Sequence, residues 1–406
     1  NANNGNVPTT SNGVNPADYK GTTVVFATTI LSKTDESGPV VDAFESKYGI
    51  TVKEVLVKDN VNEIAGKIAA GEKIDVMRSN SDFPAAMAVL QSLTAAKLDY
   101  TDPIWDKSMF EFTTFGGEPY LCNTVGNIWS ENSCIIYNKQ LLKKAGAKTP
   151  EQYDAAGAWT VDAFAAIAKA VEGIDGVGTG VRGAYVQGEE FLGSIGCGLY
   201  KYENGKFTNG LKDPKMAEAM AKLASWRKEG FMTDSANDPF EKGNVGICYG
   251  LAGWSLKKNG SNAKANWNNI GFYKMPAYAK GQTAMNTAMI KAWGICRSAA
   301  NPVAGGLFLR YYLDCGNYNS TDAFISPAAA DFFFQNTNSL SMDNFFPQLT
   351  REQGTEKLTG FYEWEWEKIG HGDPAQVQPS IAKISTSVDK AVDVMNKHVA
   401  KNTGIK

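Results

Sequence analysis

Histidine is almost missing from this sequence, which argues against several kinds of catalytic centre. The two histidines, His371 and His398, lie outside any HExxH or similar ligand pattern, so neither a zinc site nor a nucleophilic triad is expected. Residues 176–180 (GVGTG) contain GxG but neither a full GxGxxG motif nor a P-loop, and they are expected to form a turn. The sequence therefore predicts no metal and no cofactor.

The chain also lacks long apolar runs and an excess of charge. No stretch approaches the ~18 consecutive apolar residues of a membrane helix, and no charged-then-apolar leader precedes the first predicted strand. The 40 Lys and Arg residues nearly balance the 43 Asp and Glu residues, and no basic run occurs. This distribution argues against nucleic-acid binding, and the partner is expected to be small or uncharged.

None of the six cysteines belongs to a CxxC pair, so most are expected to be free, buried thiols. A disulfide between Cys122 and Cys134 is the alternative. These two residues flank a turn-like segment and would face each other if that segment formed a hairpin.

What the chain does have is length. Its 406 residues exceed the size at which a single core stops growing, so two domains are expected. Residues 1–16 are rich in Asn, Gly, Pro, Thr and Ser, a composition typical of a flexible tether, although a disordered terminus without a role is the alternative. Because the first residue is Asn1 and not Met, we expect a leader or anchor to have been removed.

Short β-rich runs alternate with amphipathic helical patterns. The first part of the chain is predicted to contain strands at 22–28, 51–57 and 74–78, and helices at 39–48, 63–70 and 84–90. Repeated βα units of this kind indicate a parallel α/β sheet covered on both faces. Helices predicted at 159–171, with Thr160 as N-cap, and at 214–229 indicate a second α/β lobe.

Several motifs occur in the order and spacing of a known family. They are Phe44-Glu45 before Gly49-Ile50, Ala70-Gly71 before Asp75-Val76, Gly117 with Tyr120, Tyr137-Asn138-Lys139 before Ala145-Gly146 and Pro150, Phe240 with Gly243 to Gly246 and Trp254, Ile270-Gly271 before Met275-Pro276, Trp293-Gly294-Ile295, and Asn301-Pro302 before Ala304 and Phe308. Together, over about residues 21–315, they resemble the extracellular solute-binding proteins of carbohydrate importers, the group that includes maltose-binding protein. A short insertion after Pro150 departs from the family pattern.

The resemblance implies an α/β fold of two lobes, of the type II periplasmic-binding-protein kind, with the ligand bound between them and a hinge that closes them. The implied boundaries are a tether at 1–20, an N-lobe at 21–137 and 288–328, and a C-lobe at 138–287 and 329–406. The chain would cross between lobes near 137–140, 284–288 and 325–335.

The resemblance also implies a function, that of a monomeric binding protein and not an enzyme. Such a protein captures an oligosaccharide and delivers it to the permease subunits of an ABC importer. A lipid-anchored position outside a Gram-positive cell is expected, with the periplasm as the alternative.

Sugar binding needs aromatic rings to cover the apolar face of a pyranose and polar groups to bond its hydroxyls. Trp254, in a Gly-rich segment and at the family's tryptophan, is the first candidate ring, followed by Trp293. Trp364 and Tyr362 lie in a run that mixes aromatic and acidic residues, and Trp129 lies in a loop where stacking and plain exposure are both open.

Candidate polar groups follow predicted strands, at the carboxyl ends where α/β sheets bind ligands. Asn80 and Asp82 come after the third strand, although Asp82 would also serve to cap the next helix. Asp35 and Glu36 follow the first strand. Glu190 would reach the cleft from the second lobe, unless it belongs to a solvated acidic pair.

Two other functions remain open from the residues. A glycoside hydrolase would use the same rings and carboxylates, but nothing in the sequence marks a catalytic pair. A binding protein for an amine, a peptide or a metal complex would share the fold and would need a charged clamp in the cleft in place of several rings.

Overall fold

A computed structural model describes residues 14–29, 31–32, 38–58, 60–80, 85–124, 131–174, 182–186, 188–198, 200–203, 205–233, 240–251, 255–258, 264–284, 288–289, 291–315, 323–337 and 373–403. The strands are β1 (Thr23–Thr28), β2 (Thr51–Leu56), β3 (Val76–Asn80), β4 (Thr114–Phe115), β5 (Glu118–Pro119), β6 (Glu131–Asn138), β7 (Arg182–Val186), β8 (Tyr200–Glu203), β9 (Lys206–Asn209), β10 (Met232–Thr233), β11 (Val245–Leu251), β12 (Ile270–Tyr273), β13 (Ala288–Met289) and β14 (Lys291–Ile295). The helices are α1 (Gly38–Tyr48), α2 (Asn60–Ala69), α3 (Lys107–Thr113), α4 (Lys139–Lys144), α5 (Pro150–Ala155), α6 (Val161–Glu172), α7 (Gly188–Ser194), α8 (Pro214–Lys228), α9 (Pro302–Cys315), α10 (Pro327–Thr337) and α11 (Val377–Thr403).

The first lobe is built on a sheet of strand order β14-β3-β1-β2. Strands β1, β2 and β3 run parallel, and β14 lies antiparallel to β3. The predicted strands at 22–28, 51–57 and 74–78 and the helices at 39–48 and 63–70 are confirmed as β1 to β3, α1 and α2. The helix predicted near 84–90 is only one 3-10 turn, Ala85–Ala88, because Leu90 already forms a β-bridge with Cys296.

Two of the recognised motifs meet in a buried polar contact of the first lobe. The Asp75 side chain is fully buried. Its carboxylate accepts a hydrogen bond from the Val25 amide of β1 at 2.8 Å and another from the Asn301 amide, just before α9, at 2.7 Å. One carboxylate thus ties β1, β3 and the beginning of α9 together, so this motif residue has a structural role.

The second lobe is built on a sheet of strand order β10-β7-β11-β6-β12, and β13 pairs with the beginning of β6. Helix α6 packs on it and begins as predicted at Thr160, whose hydroxyl accepts from the Ala163 amide. Along α8 the side chains of Met216, Met220, Leu223 and Trp226 are buried, as their spacing predicts.

The Tyr137-Asn138-Lys139 motif also has a structural role. The Tyr137 hydroxyl donates to the two carboxylate oxygens of Glu151 at 2.8 and 3.0 Å. Asn138 caps α4 by accepting from the Leu141 amide. Gly271 of the next motif lies against the Tyr137 ring, and a Cβ there would lie 2.1 Å from Tyr137 Cζ.

The predicted lobe boundaries need two corrections. Strand β6 pairs along its length with β11 and β12, so residues 131–137 belong to the second lobe and not to the predicted 21–137 segment. Phe324 and Ile325 pack with Cys134 and Ile136, so 323–328 belongs there as well. The motif at Tyr137 marks the end of β6, not the point at which the chain changes lobe.

The chain therefore crosses from the first lobe to the second between 124 and 131, returns between 289 and 291, and crosses again between 315 and 323. The first and third crossings precede the predicted 137–140 and 325–335. The residues that flank the first two crossings pair with each other on both sides, since Asn132 pairs with Ala288 in the second lobe, and Cys122 forms a bridge with Trp293 in the first. We call this paired region the lobe junction.

Two further predictions are wrong in part. The last residues of the predicted tether are packed, because Val14 is buried and Tyr19 packs against the same first-lobe cluster. Residues 1–13 lie outside the described part of the chain. Cys122 and Cys134 are buried thiols in separate clusters, one in each lobe, so they do not form the alternative disulfide.

Candidate functional site

The carboxyl edge of the first sheet faces the lobe junction. Strands β1 and β3 end there, and β14 begins there, because Lys291 pairs with Asn80 at the end of β3. Only residue 290 separates β14 from β13, which pairs with the beginning of β6. The carboxyl ends of β1 and β3 therefore lie on the edge of the first sheet that is next to the second lobe.

The second sheet presents a matching edge. Leu251 at the end of β11 pairs with Ser133 near the beginning of β6. Strand β7 runs parallel to β11, so its carboxyl end lies on the same edge and leads into α7. The carboxyl ends of β7 and β11 and the beginning of β6 thus lie on one edge of the second sheet, next to the β13–β6 pairing that borders the first lobe. We take the region between this edge and the carboxyl edge of the first sheet as the candidate inter-lobe cleft.

Most of the predicted site residues lie outside the described residues. They are Asp35 and Glu36 (33–37), Asp82 (81–84), Trp129 (125–130) and Trp254 (252–254). Tyr362 and Trp364, within 338–372, also lie outside them. Asn80 is the last residue of β3, and Glu190 lies in the first turn of α7. Both positions are on the cleft edges.

Trp293 is a predicted ring that the structure does describe. It is 2% exposed, and its backbone exchanges hydrogen bonds with Cys122 at 3.0 and 2.8 Å. The Arg78 guanidinium lies 5.8 Å from the ring centroid, and the Tyr312 ring lies 6.4 Å away. The ring is thus packed within the first lobe, and its contact with a ligand stays a prediction.

The sequence reasoning did not single out Arg78 as part of this region. Arg78 stands opposite Trp293 in the β3–β14 pairing, so the two side chains share one face of the sheet and form a cation–π contact. The two residues are far apart in the sequence, and no local signal pairs them. The β3–β14 register would have been needed to find the contact.

A second contact that the sequence reasoning missed anchors Ser32, the residue just before the 33–37 segment. The Ser32 amide donates to the Glu54 carboxylate oxygens at 2.9 and 3.1 Å, and the Ser32 hydroxyl donates to the same carboxylate at 2.6 Å. Ser32 is 3% exposed. The chain that carries Asp35 and Glu36 therefore leaves the first sheet from an anchored residue.

The chemistry around the lobe junction is that of packing and hydrogen bonding. Burial raises the pKa of the Cys122 thiol, and burial also raises the pKa of the Cys296 thiol, so both thiols stay protonated at neutral pH. Among the residues of the described ranges, no group of three or more His, Cys, Asp or Glu side chains is placed to hold a metal ion. No described helix is both long and apolar enough to span a bilayer.

Solved structures of low sequence identity share the fold. Maltose-bound MalE3 of T. maritima is 17% identical, with 91% of this chain and 100% of that chain covered and a TM-score of 0.62. The Staphylococcus aureus extracellular solute-binding protein in complex with maltose is 15% identical, with coverage of 94% and 98% and a TM-score of 0.61.

A third similar structure is the galacto-N-biose/lacto-N-biose I-binding protein of the ABC transporter from Bifidobacterium longum, in complex with lacto-N-biose. It is 13% identical, with coverage of 95% and 98% and a TM-score of 0.63. These likenesses confirm the two-lobed α/β fold. No curated protein sequence matches the chain.

The sequence itself matches one family model over residues 40–328, which is most of the chain and includes every strand of the two large sheets except β1. That model describes the bacterial extracellular solute-binding proteins. The expected family is thereby confirmed, and with it the expectation of a binding protein found outside the cytoplasm. The chain belongs to the bacterial extracellular solute-binding proteins.

Proposed function

We propose that this protein captures an oligosaccharide between its lobes and delivers it to the permease subunits of an ABC importer. The observation that carries the proposal is the pair of adjacent sheet edges, because Trp254, Trp129, Asp82 and Glu36 are each close in sequence to a strand end on one of them. Rings and carboxylates on opposite walls are what a sugar requires, since a pyranose has apolar faces and a polar rim. Maltose and lacto-N-biose in the similar structures support the same ligand class.

Within this cleft we assign the predicted residues two roles. The rings of Trp254, Trp129, Trp364 and Tyr362 would stack on sugar faces. Asp82, Asn80, Asp35, Glu36 and Glu190 would bond the hydroxyls. Trp293, packed beneath Arg78, would support the wall and contact the ligand with its edge at most.

We further propose a monomer that is lipid-anchored on the outer face of a Gram-positive cell membrane, with the periplasm as the alternative. Closure of the lobes would bury the ligand and create the surface that the permease recognises. Binding is then the whole activity, and no bond is made or broken.

Thermal unfolding against a panel of oligosaccharides, amino acids, peptides and polyamines tests this proposal. A ligand present at about 100 times its Kd adds about 2.7 kcal/mol of stability, roughly 3 °C for a chain of this size. We expect a shift with one family of glycans and no loss of the sugar. A shift with charged solutes alone would overturn the sugar assignment, and glycan breakdown would favour the hydrolase.

A further inference from the structure

A second contact joins the lobes outside the lobe junction. The Phe115 ring of the first lobe and the Phe207 ring of the second have their centroids 5.6 Å apart, with 42° between the planes. The two residues are 2% and 5% exposed. Burial of two facing rings between the lobes makes this an energetically significant contact.

Phe115 is attached to the first lobe through the β4–β5 hairpin. It pairs there with Glu118, whose carboxylate accepts hydrogen bonds from the hydroxyls of Ser92 and Thr94. The following residues join β14, because Cys122 forms its bridge with Trp293. The Phe115 ring therefore moves with the first lobe.

Phe207 is attached to the second lobe through α11. Its amide donates to Asn396 Oδ1 at 2.8 Å, and Asn396 Nδ2 donates to the Phe207 carbonyl at 2.9 Å. Two residues further on, Asn209 Nδ2 donates to the Ser385 carbonyl and to Asp389 Oδ1, each at 3.0 Å. These bonds hold β9 against α11, and α11 in turn packs on α8.

Helix α11 widens the contact between the lobes. It packs on the Ala85–Ala88 turn of the first lobe. Its buried residues Val392, Met395 and Val399 belong to one continuous apolar cluster with Met87 and Phe115. One apolar cluster therefore contains residues of both lobes, and the Phe115–Phe207 pair joins them within it.

A rotation about the lobe junction changes the distance between groups that lie off its axis, so this apolar contact has to slide or open when the lobes move. We propose that the Phe115–Phe207 contact, supported by Asn396 and α11, stabilises the lobe arrangement seen here and thereby sets the affinity of the cleft without touching the ligand. The three residues are positioning residues. The proposed effect on ligand affinity rests on the proposed function, whereas the proposed effect on the lobe arrangement does not.

The first test measures the lobes without any ligand. Spin labels at Asp42→Cys on α1 and Lys143→Cys on α4, both exposed positions of different lobes, report the inter-lobe distance in a Cys315→Ser background. In Phe207→Ala, and equally in Phe115→Ala, we expect the population of the lobe arrangement seen here, relative to other arrangements, to change about two- to twelve-fold. This is the range that corresponds to the loss of one aromatic pair. Phe207→Leu serves as the milder variant if the alanine variants unfold.

The matched control is Phe332→Ala. Phe332 also packs on one aromatic ring, Phe272 at 5.2 Å, but both residues belong to the second lobe. Its distance distribution should equal that of the parent protein. An unchanged distribution in both folded Phe207 variants, or an equal change in the control, would overturn the proposal.

The second test measures the Kd for maltotetraose by calorimetry. In Phe207→Ala we expect this Kd to change about two- to twelve-fold, and in the control Phe332→Ala we expect the same Kd as in the parent protein. A distance change with an unaltered Kd would refute the link to affinity. If the parent protein binds no sugar at all, the proposed function fails while the distance measurement still decides the lobe contact.

Discussion

Gly183 of β7 occupies a position that admits no side chain. A Cβ there would lie 1.9 Å from the backbone oxygen of Ala168 in α6, and a helix backbone cannot move aside as a side chain can. We expect Gly183→Ala to lower the free energy of unfolding by about 1–3 kcal/mol, because α6 must shift away from the sheet. Urea unfolding of the two proteins measures the difference.

Gly66 provides the matched control. It lies inside α2, and a Cβ there meets nothing within 4 Å. Gly66→Ala should therefore raise the stability by about 0.5–1 kcal/mol, the usual difference between these residues within a helix. Equal effects at the two glycines would contradict the steric explanation.

Sequence reasoning succeeded for residues whose role depends on near neighbours. The Thr160 cap and the buried face of α8 follow from spacings of three and four residues. Trp105 shows the limit of such reasoning. It lies outside the helices and strands, yet it is 1% exposed, and its indole N–H donates to the Asp99 carbonyl. Its burial depends on Tyr100, Phe110 and Arg310, and the contact with Arg310 comes from a distant helix.

At the scale of elements, Asp75 determines how β1, β3 and α9 are joined. Asp75→Ala would leave the buried amides of Val25 and Asn301 without their acceptor, so we expect a loss of about 2–4 kcal/mol. Asp42→Ala, at an exposed position of α1, is the control and should change stability by less than about 0.5 kcal/mol. Thermal unfolding compares the variants, and a loss at Asp75 no larger than at Asp42 would refute this role.

The contact between α5 and the end of β12 is expected to contribute a pH-dependent amount to stability. Asp154 accepts hydrogen bonds from Lys274 at 2.9 Å and Tyr273 at 2.8 Å, and these bonds, that of Lys274 first, lower the pKa of its carboxyl group against the opposing effect of burial. A carboxyl group whose pKa is lower in the folded state than in the unfolded state stabilises the fold at pH values above its unfolded pKa, which is near 3.9 for Asp. This stabilisation is lost as the pH falls through the pKa of the folded state.

Because the Lys274 side chain is half exposed, the contribution should be only about 0.5 kcal/mol. We expect Asp154→Asn to be less stable than the parent protein by this amount at pH 7, and we expect the difference to disappear as the pH falls through the lowered native pKa. Urea unfolding over a series of pH values from 7 into the acid range measures both, with Asp42→Asn as control. A stability difference between the parent protein and Asp154→Asn that grows as the pH falls would contradict this prediction.

At the scale of the whole molecule, the ligand should be held by both lobes at once. If Trp254 stacks on a sugar, Trp254→Ala should weaken the binding of the best glycan by about 1–3 kcal/mol. Calorimetry gives the affinity and thermal unfolding shows whether the fold is kept. Trp226→Phe, inside the second lobe, is the control, and an unchanged affinity in Trp254→Ala would remove this ring from the site.

The two-lobed fold was predicted through the family resemblance, but two of the predicted lobe boundaries were placed at the wrong residues. The motif at Tyr137 coincides with the end of β6, so it gave no sign that the whole strand pairs in the second sheet. Residues 323–328 pack on Cys134 and Ile136, contacts that depend on sheet register across nearly 200 positions. Periodicity reports which face of an element is buried, but not which lobe buries it.

The bond between Asp75 and Asn301 joins residues 226 positions apart, and every residue of the second sheet lies between them. During synthesis the first lobe therefore lacks its fourth strand and the helix α9 until all strands of the second sheet have been made. Contacts of such long range are slow to form. The edge of β3 therefore has no partner strand on that side until β14 has been made, which delays completion of the first sheet.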